Sequence, residues 1–178
     1  MRSNHLTAIL LLAAALCGTL AFVFWPQADA PSAPPGFAAP DFTWQTFDGK
    51  SSALKDSAGR VTVLHFWASW CAPCKAEFPH LLQAVKQNPD IVFLALSSDS
   101  DRTKAEKFLT EMGATPAPAN LLFGWDKDKK ITYDLFMTVA YPETIILDKQ
   151  HRLRRKIPGV AEWQGKELQA YLQQLQKE

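Results

Sequence analysis

The sequence predicts an α/β domain, with a mixed central sheet, helices on both faces and a β-hairpin at its N-terminal side. Three features point to it. Short apolar runs rich in β-branched and aromatic residues, Val61 to Trp67 and Ile91 to Leu96, read as buried strands. Apolar residues at helical spacing follow each of them, in Cys74 to Asn88 and in Asp101 to Met112. The alternation of Phe42, Trp44 and Thr46 ahead of Asp48-Gly49 is a hairpin signal. Strands that alternate with helices and close on a hairpin and a helix stack into layers of this kind.

The elements follow in order. Met1 to His5 holds one arginine, and Leu6 to Trp25 carries no charge, a stretch long enough to span a bilayer as a helix. The positive end places the N-terminus in the cytoplasm and the rest of the chain outside it, with Trp25 at the outer interface. Residues 1–25 therefore read as a membrane anchor, with a cleaved signal peptide as the competitor. The run from Pro26 to Pro40 holds five prolines and reads as a semi-rigid tether. The folded domain then occupies residues 41–178, long enough to bury a core without structural disulfides.

Within it, the hairpin runs from Asp41 to Leu54, and Ser57-Ala58-Gly59 turns into the Val61 strand. The helix from Cys74 presents Phe78, Leu81, Leu82 and Val85 on one face, and Pro79 is expected to kink it. Asn88-Pro89-Asp90 turns into the Ile91 strand. Ser100 or Asp101 caps the next helix, which stops at Gly113. Ala114 to Asn120 is a loop, Leu121 to Phe123 a short strand, and Lys130 to Met137 helix-like. Ile145 to Asp148 and Leu153 to Ile157 are strands. Gln164 to Lys177 closes the chain as a helix with Leu168, Leu172 and Leu175 aligned.

The chemistry lies in Cys71-Ala72-Pro73-Cys74, where a strand turns directly into a helix. Unpaired N–H groups and the helix dipole favour an anion there, which lowers a thiol pKa from about 8.5. Cys71 is thus the nucleophile, and Cys74, one turn on, can form a disulfide with it and resolve its adducts. The chain has three cysteines, and the third, Cys17, lies in the apolar segment. A four-ligand zinc site would have to recruit His65 and His80, which lack zinc-finger spacing. A lone C-x-x-C without structural cysteines suits a redox dithiol, and the pair calls for no cofactor. The formal net charge of +1 gives no sign of nucleic-acid binding.

The string FWASWCAPCKAEFP resembles the active site of the thioredoxin superfamily, and more narrowly that of the membrane-anchored TlpA/ResA-like thiol:disulfide oxidoreductases. The resemblance runs from about Ala39 to the C-terminus. It implies a thioredoxin-like fold, thiol exchange at Cys71 and Cys74, and Glu77 as a carboxylate that moves protons beside the dithiol. It also implies that Pro142 is cis and lies against the dithiol, with Tyr141, Trp70 and Pro73 meeting the substrate. Its implied partners are disulfide-bearing client proteins, those of cytochrome c maturation among them, and an upstream membrane thiol donor. Its implied location is the bacterial inner membrane, with one N-terminal span and the catalytic domain on the periplasmic side.

The chain departs from the superfamily at His65, where classical thioredoxins carry a buried aspartate; a histidine in a buried strand is expected to be neutral and hydrogen-bonded. Lys75, His80 and the run Arg152, Arg154, Arg155, Lys156 read as solvated positions. Residues 152, 154 and 156 share a strand face that an acidic partner or lipid headgroup could meet. A copper chaperone on the same fold is the alternative function, although copper-delivery proteins that resemble this chain have three residues between the cysteines and a later histidine. A peroxidase fits less well, because Ala68 stands where it would place a hydroxyl residue three positions before its cysteine.

Overall fold

A computed structural model describes residues 36–178. The anchor read in residues 1–25 and the tether as far as residue 35 lie outside them. No helix among the described residues is long and apolar enough to cross a membrane.

The chain runs β1 (Thr43–Thr46), β2 (Ser51–Ala53), a 3-10 turn (Leu54–Ser57), β3 (Thr62–Trp67), α1 (Ala72–Gln87), β4 (Val92–Ser97) and α2 (Arg102–Glu111). It continues through β5 (Leu121–Trp125), a π-helical segment (Lys130–Leu135), β6 (Glu143–Leu147), β7 (Leu153–Pro158) and α3 (Lys166–Lys177). The seven strands form one sheet in the order β2-β1-β5-β4-β3-β6-β7. The central trio β5, β4 and β3 is parallel, β1 and β6 on either side run antiparallel to it, and the edge strands β2 and β7 are antiparallel to β1 and β6 in turn.

Alternation along the buried strands sends each side chain to a definite layer. Val63 and Trp67 of β3, Phe93 and Ala95 of β4 and Ile146 of β6 face a core built with Phe78, Leu81 and Val85 of α1. Ala105 and Phe108 of α2 and Leu168, Leu172 and Leu175 of α3 complete it. Leu64, Phe66, Leu94, Leu96, Ile145 and Leu147 face the other way, onto Phe42, Trp44, Leu54, Ile131 and Phe136. Helical segments thus cover both faces unequally. The three α-helices share one, because successive right-handed crossovers β3-α1-β4-α2-β5 advance in one direction; the hairpin, the 3-10 turn and the π-helical segment cover the other.

Glycine is required at 124, where the Trp44 and Leu96 side chains of the neighbouring strands close over β5. A Cβ built there would come within 2.5 Å of both Leu96 Cδ2 and Trp44 Cδ1. Pro79 lies inside α1 without interrupting it. Among the described residues, backbone pairing begins at Gly36, ahead of Asp41, where the sequence places the start of the domain. Gly36 N–H donates to Leu153 O at 3.1 Å, Leu153 N–H to Phe37 O at 2.7 Å and Ala39 N–H to His151 O at 2.8 Å.

Candidate active site

β3 ends at Trp67, and the chain crosses Ala68-Ser69-Trp70 into the first turn of α1. Cys71 is the N-cap of that helix: its Sγ accepts the Cys74 N–H at 3.2 Å, and Pro73 occupies the first turn, where a missing N–H costs nothing. The helix therefore starts at Ala72, ahead of the Cys74 start expected from periodicity. Cys71 and Cys74 are joined in a disulfide with Cα atoms 5.3 Å apart. Cys71 is only 5 % exposed and Cys74 wholly buried. Both sulfurs are thus buried in the oxidised protein, Cys71 having slightly more access than Cys74.

The approach loop is held by a carboxylate that its own sequence does not signal. Asp99, buried just past the end of β4, accepts the Ser69 N–H at 2.8 Å, the Ser69 hydroxyl at 2.6 Å and the Ser97 hydroxyl at 2.8 Å. Its backbone carbonyl accepts the Trp125 indole N–H at 2.7 Å. Two strand ends are thereby tied to the residue that precedes Trp70. The only sequence hint was the polar run Ser97-Ser98-Asp99 closing an apolar strand.

Glu77 is 1 % exposed, not a solvated helix residue. Its Oε1 accepts the Ala161 N–H at 2.8 Å and the Trp163 indole N–H at 2.6 Å, while Oε2 has no partner. Burial, only partly offset by those two bonds, pushes its carboxyl up to about 7. Trp163 escaped the sequence reading, since nothing in its neighbourhood marks an indole that reaches across 86 positions. His65 is buried with its ring centroid 6.0 Å from that of Trp163, Nδ1 3.0 Å from the Thr144 hydroxyl and Nε2 without a partner. Burial lowers its pKa to about 3, so the ring is neutral.

The Tyr141-Pro142 bond is cis, with Pro142 buried at the head of β6. The Thr115-Pro116 bond is also cis. Tyr141 is half-buried; its ring meets Trp70 edge-on at 5.7 Å, and Trp70 itself is 65 % exposed. The Tyr141 hydroxyl bonds Ser98, and burial raises its pKa above the usual phenol range. Ser98 lies 3.1 Å from the Thr132 hydroxyl, which donates to Asp126 at 2.7 Å. The proline loop is thus tied to the π-helical segment. Pro73 is exposed.

The basic run is not a free patch. Arg152 pairs with Asp148 at 2.8 Å, Arg154 with Glu178 at 2.6 Å and Arg155 with Glu167 at 2.9 Å. Lys156, 13 % exposed, lies 3.1 Å from the buried Glu143 and donates to Phe136 O at 2.9 Å. Thr138 also donates to Glu143. Expectation and structure differ here because the acidic partners are scattered through β6, the following turn and α3. Lys75 and His80 are exposed, and Lys75 leans toward Glu111 at 3.9 Å, not toward the dithiol.

Among the described residues no three His, Cys, Asp or Glu side chains are grouped to hold a metal ion. His151, the late histidine a chaperone would need, bonds the Ser57 hydroxyl at 3.0 Å in the turn before β7.

Comparison with known proteins agrees with this geometry. The model of the AhpC/TSA family matches residues 35–156. The chain is 27 % identical to the thiol-disulfide oxidoreductase ResA of Bacillus cereus, over 98 % of this chain and 99 % of ResA. It is 33 % identical to the thioredoxin-like protein YneN of Bacillus subtilis, over 65 % of this chain and 66 % of that protein. A crystal structure assigned as a thiol:disulfide interchange protein DsbE from Chlorobium tepidum superposes with a TM-score of 0.71 at 26 % identity, covering 82 % of this chain and 99 % of the other. The sheet that carries the dithiol thus has a counterpart in a solved structure, and the chain belongs to the AhpC/TSA family as a TlpA/ResA-like member of the thioredoxin superfamily.

Proposed function

We propose that this chain, a thiol:disulfide oxidoreductase, works as a reductant of disulfides in exported proteins, apocytochromes c under maturation among them, from the outer face of a bacterial inner membrane. The observation that carries the direction is the charge around the dithiol: the Glu77 carboxyl, on the helix one turn beyond Cys74, is buried, whereas Lys75, next to Cys74 in the chain, is exposed and drawn to Glu111. A carboxylate disfavours a neighbouring thiolate, and a reduced form that is not strongly stabilised gives its electrons up readily.

The steps balance as follows. The Cys71 thiolate attacks one sulfur of the client disulfide and expels the other as a thiolate. Glu77 takes the proton of Cys74, whose thiolate then attacks Cys71 Sγ and releases the client's second sulfur. One electron pair passes to the client, whose two thiolates take one proton from Glu77 and one from water, and the protein is left as the Cys71–Cys74 disulfide. The client segment runs past Trp70 and pairs with the backbone of Tyr141 as an added strand. Re-reduction needs a thiol donor, and the uncharged run Leu6 to Trp25 supports a donor held in the same membrane.

Equilibration with glutathione at pH 7 tests the direction. A potential near thioredoxin's, roughly −270 mV, is expected, and one above about −180 mV would make the protein an oxidase or isomerase. Cys74→Ser is expected to accumulate mixed disulfides with clients and Cys71→Ser none; equal trapping by both would refute the assignment of roles.

A further inference from the structure

The loop that joins the π-helical segment to β6 gets little help from packing. Val139 is 80 % exposed, and Met137 and Ala140 are exposed as well. Side chains turned to solvent give a loop no apolar burial to fix its path. Yet this loop delivers Tyr141, whose ring meets Trp70, the residue before Cys71. A client strand that pairs with the Tyr141 backbone needs that backbone in one place.

The main-chain bonds of the loop lie at its two ends. At the entry Phe136 N–H donates to Ile131 O at 3.2 Å, Met137 N–H to Tyr133 O at 2.9 Å and Thr138 N–H to Thr132 O at 2.9 Å. At the exit Gly159 N–H donates to Pro142 O at 2.9 Å. Among the described residues, Val139 and Ala140 enter no backbone hydrogen bond.

One side chain spans the two ends. Lys156 of β7 stands opposite Ile145 in the β6–β7 register, so it rises on the side of the sheet that holds Phe136. Its ammonium donates to Phe136 O at 2.9 Å at the entry and lies 3.1 Å from Glu143 Oε2 at the exit. The same Glu143 oxygen accepts the Thr138 hydroxyl. A single cation thus holds both feet of the loop. Stability does not account for this pair, because desolvating two charges offsets much of their attraction and an apolar pair of like volume is often as stable. An apolar pair offers no donor to Phe136 O and no acceptor to the Thr138 hydroxyl.

We propose that Lys156 is a positioning residue for client binding, its ammonium fixing the loop from Phe136 to Glu143 so that the backbone of Tyr141 meets the client strand beside Cys71. The proposal rests on the client pairing with Tyr141 as an added strand. Lys156 acts through Glu143, Thr138 and the Phe136 carbonyl, not by touching the client. The other hold on Tyr141, its hydroxyl on Ser98, fixes the ring and not the main chain. Without the ammonium the loop samples several paths, and a client meets Tyr141 out of place more often. A small disulfide that pairs with no backbone does not sense where the loop lies.

Two disulfides with the same leaving group, offered to the pre-reduced full chain in a stopped-flow instrument, separate these cases. One is 5,5′-dithiobis(2-nitrobenzoate). The other is an extended synthetic peptide whose single cysteine is capped with the same nitrothiobenzoate, so that attack on either releases one chromophore. Lys156→Met/Glu143→Leu removes the hold without stranding a charge. The ratio of the peptide rate to the small-disulfide rate is expected to fall about tenfold in this variant, a modest loss on the scale of a misplaced contact. A ratio equal to that of the wild type would overturn the proposal, whether both rates hold or both fall together. If urea unfolding shows that the double variant has lost its fold, Thr138→Val answers the same question. It frees one foot of the loop and keeps the charge pair, and an unchanged ratio again overturns the proposal. Failure of the strand-pairing reading shows separately, in the wild type alone. A peptide N-methylated at both residues flanking its cysteine is expected to react more slowly than its parent, and equal rates would mean that no added strand forms.

Discussion

Replacing Glu77 by glutamine should remove a pH-dependent stability term whose size follows from the structure. The carboxyl lies at about 7 in the folded protein against an ordinary 4.5, because burial outweighs its bonds to Ala161 and Trp163. That gap corresponds to about 3 kcal/mol. Below pH 4.5 both folded and unfolded chains hold the proton and the term is zero. As pH rises from 4.5 to 7 the unfolded chain releases it while the folded chain keeps it, so stability falls, and the loss levels off above 7. Glutamine can keep both bonds to its carbonyl oxygen and does not titrate. Urea unfolding of the oxidised proteins at a series of pH values measures the term as a difference, in which groups independent of Glu77 cancel. The variant should gain about 3 kcal/mol on the wild type between pH 4 and 8. A difference that stays flat within about 0.5 kcal/mol, well below that expected term, would mean that the Glu77 carboxyl is effectively solvated.

Three further substitutions probe the frame around the site. Lys156→Met strands Glu143 as a buried unpaired charge and should cost about 3–5 kcal/mol, most of it recovered in Lys156→Met/Glu143→Leu; a single variant as stable as the wild type would show that Glu143 reaches water. Asp99→Asn turns an acceptor of three hydrogen bonds into a group that accepts on one side only, at a cost of about 1–3 kcal/mol. It should also raise amide exchange at Ser69 and Trp70 more than elsewhere, and uniform exchange would deny the loop-holding role. Gly124→Ala puts a methyl within 2.5 Å of Leu96 and Trp44. Denaturation should show a loss of about 1–3 kcal/mol from overpacking, and an unchanged midpoint would mean the hairpin lifts freely.

What the sequence disclosed was local. Val61 to Trp67 is apolar but for Thr62 and His65, a pattern that suits a strand buried on both faces, and β3 is such a strand. The C-x-x-C at a strand-to-helix switch identified the dithiol because the chemistry depends on the first helical turn alone. His65 was legible as a neutral core histidine from its place in that strand. Long-range contacts left no trace. The Trp163 bond to Glu77 spans 86 positions and the Arg154 bond to Glu178 spans 24. A residue such as Lys156 looks solvated until the partner strand sets Glu143 beneath it. The helical spacing of Lys130 to Met137 was visible, but not its π geometry, which arises where Asp126 accepts the backbone N–H groups of Ile131 and Thr132.

The pairing of residues 36–39 against the start of β7 bears on how such a protein survives its clients. A sheet ends in rows of unpaired N–H and C=O groups, which recruit any extended chain that drifts past and seed aggregation. Here one end is β2, only three residues long, and the start of the other is occupied by the chain's own Gly36 to Ala39. A reductant of unfinished proteins meets extended, sticky polypeptide in every encounter. With β2 short and the start of β7 covered, less sheet edge is open to such chains, and under the proposed function their capture is left to the backbone of Tyr141.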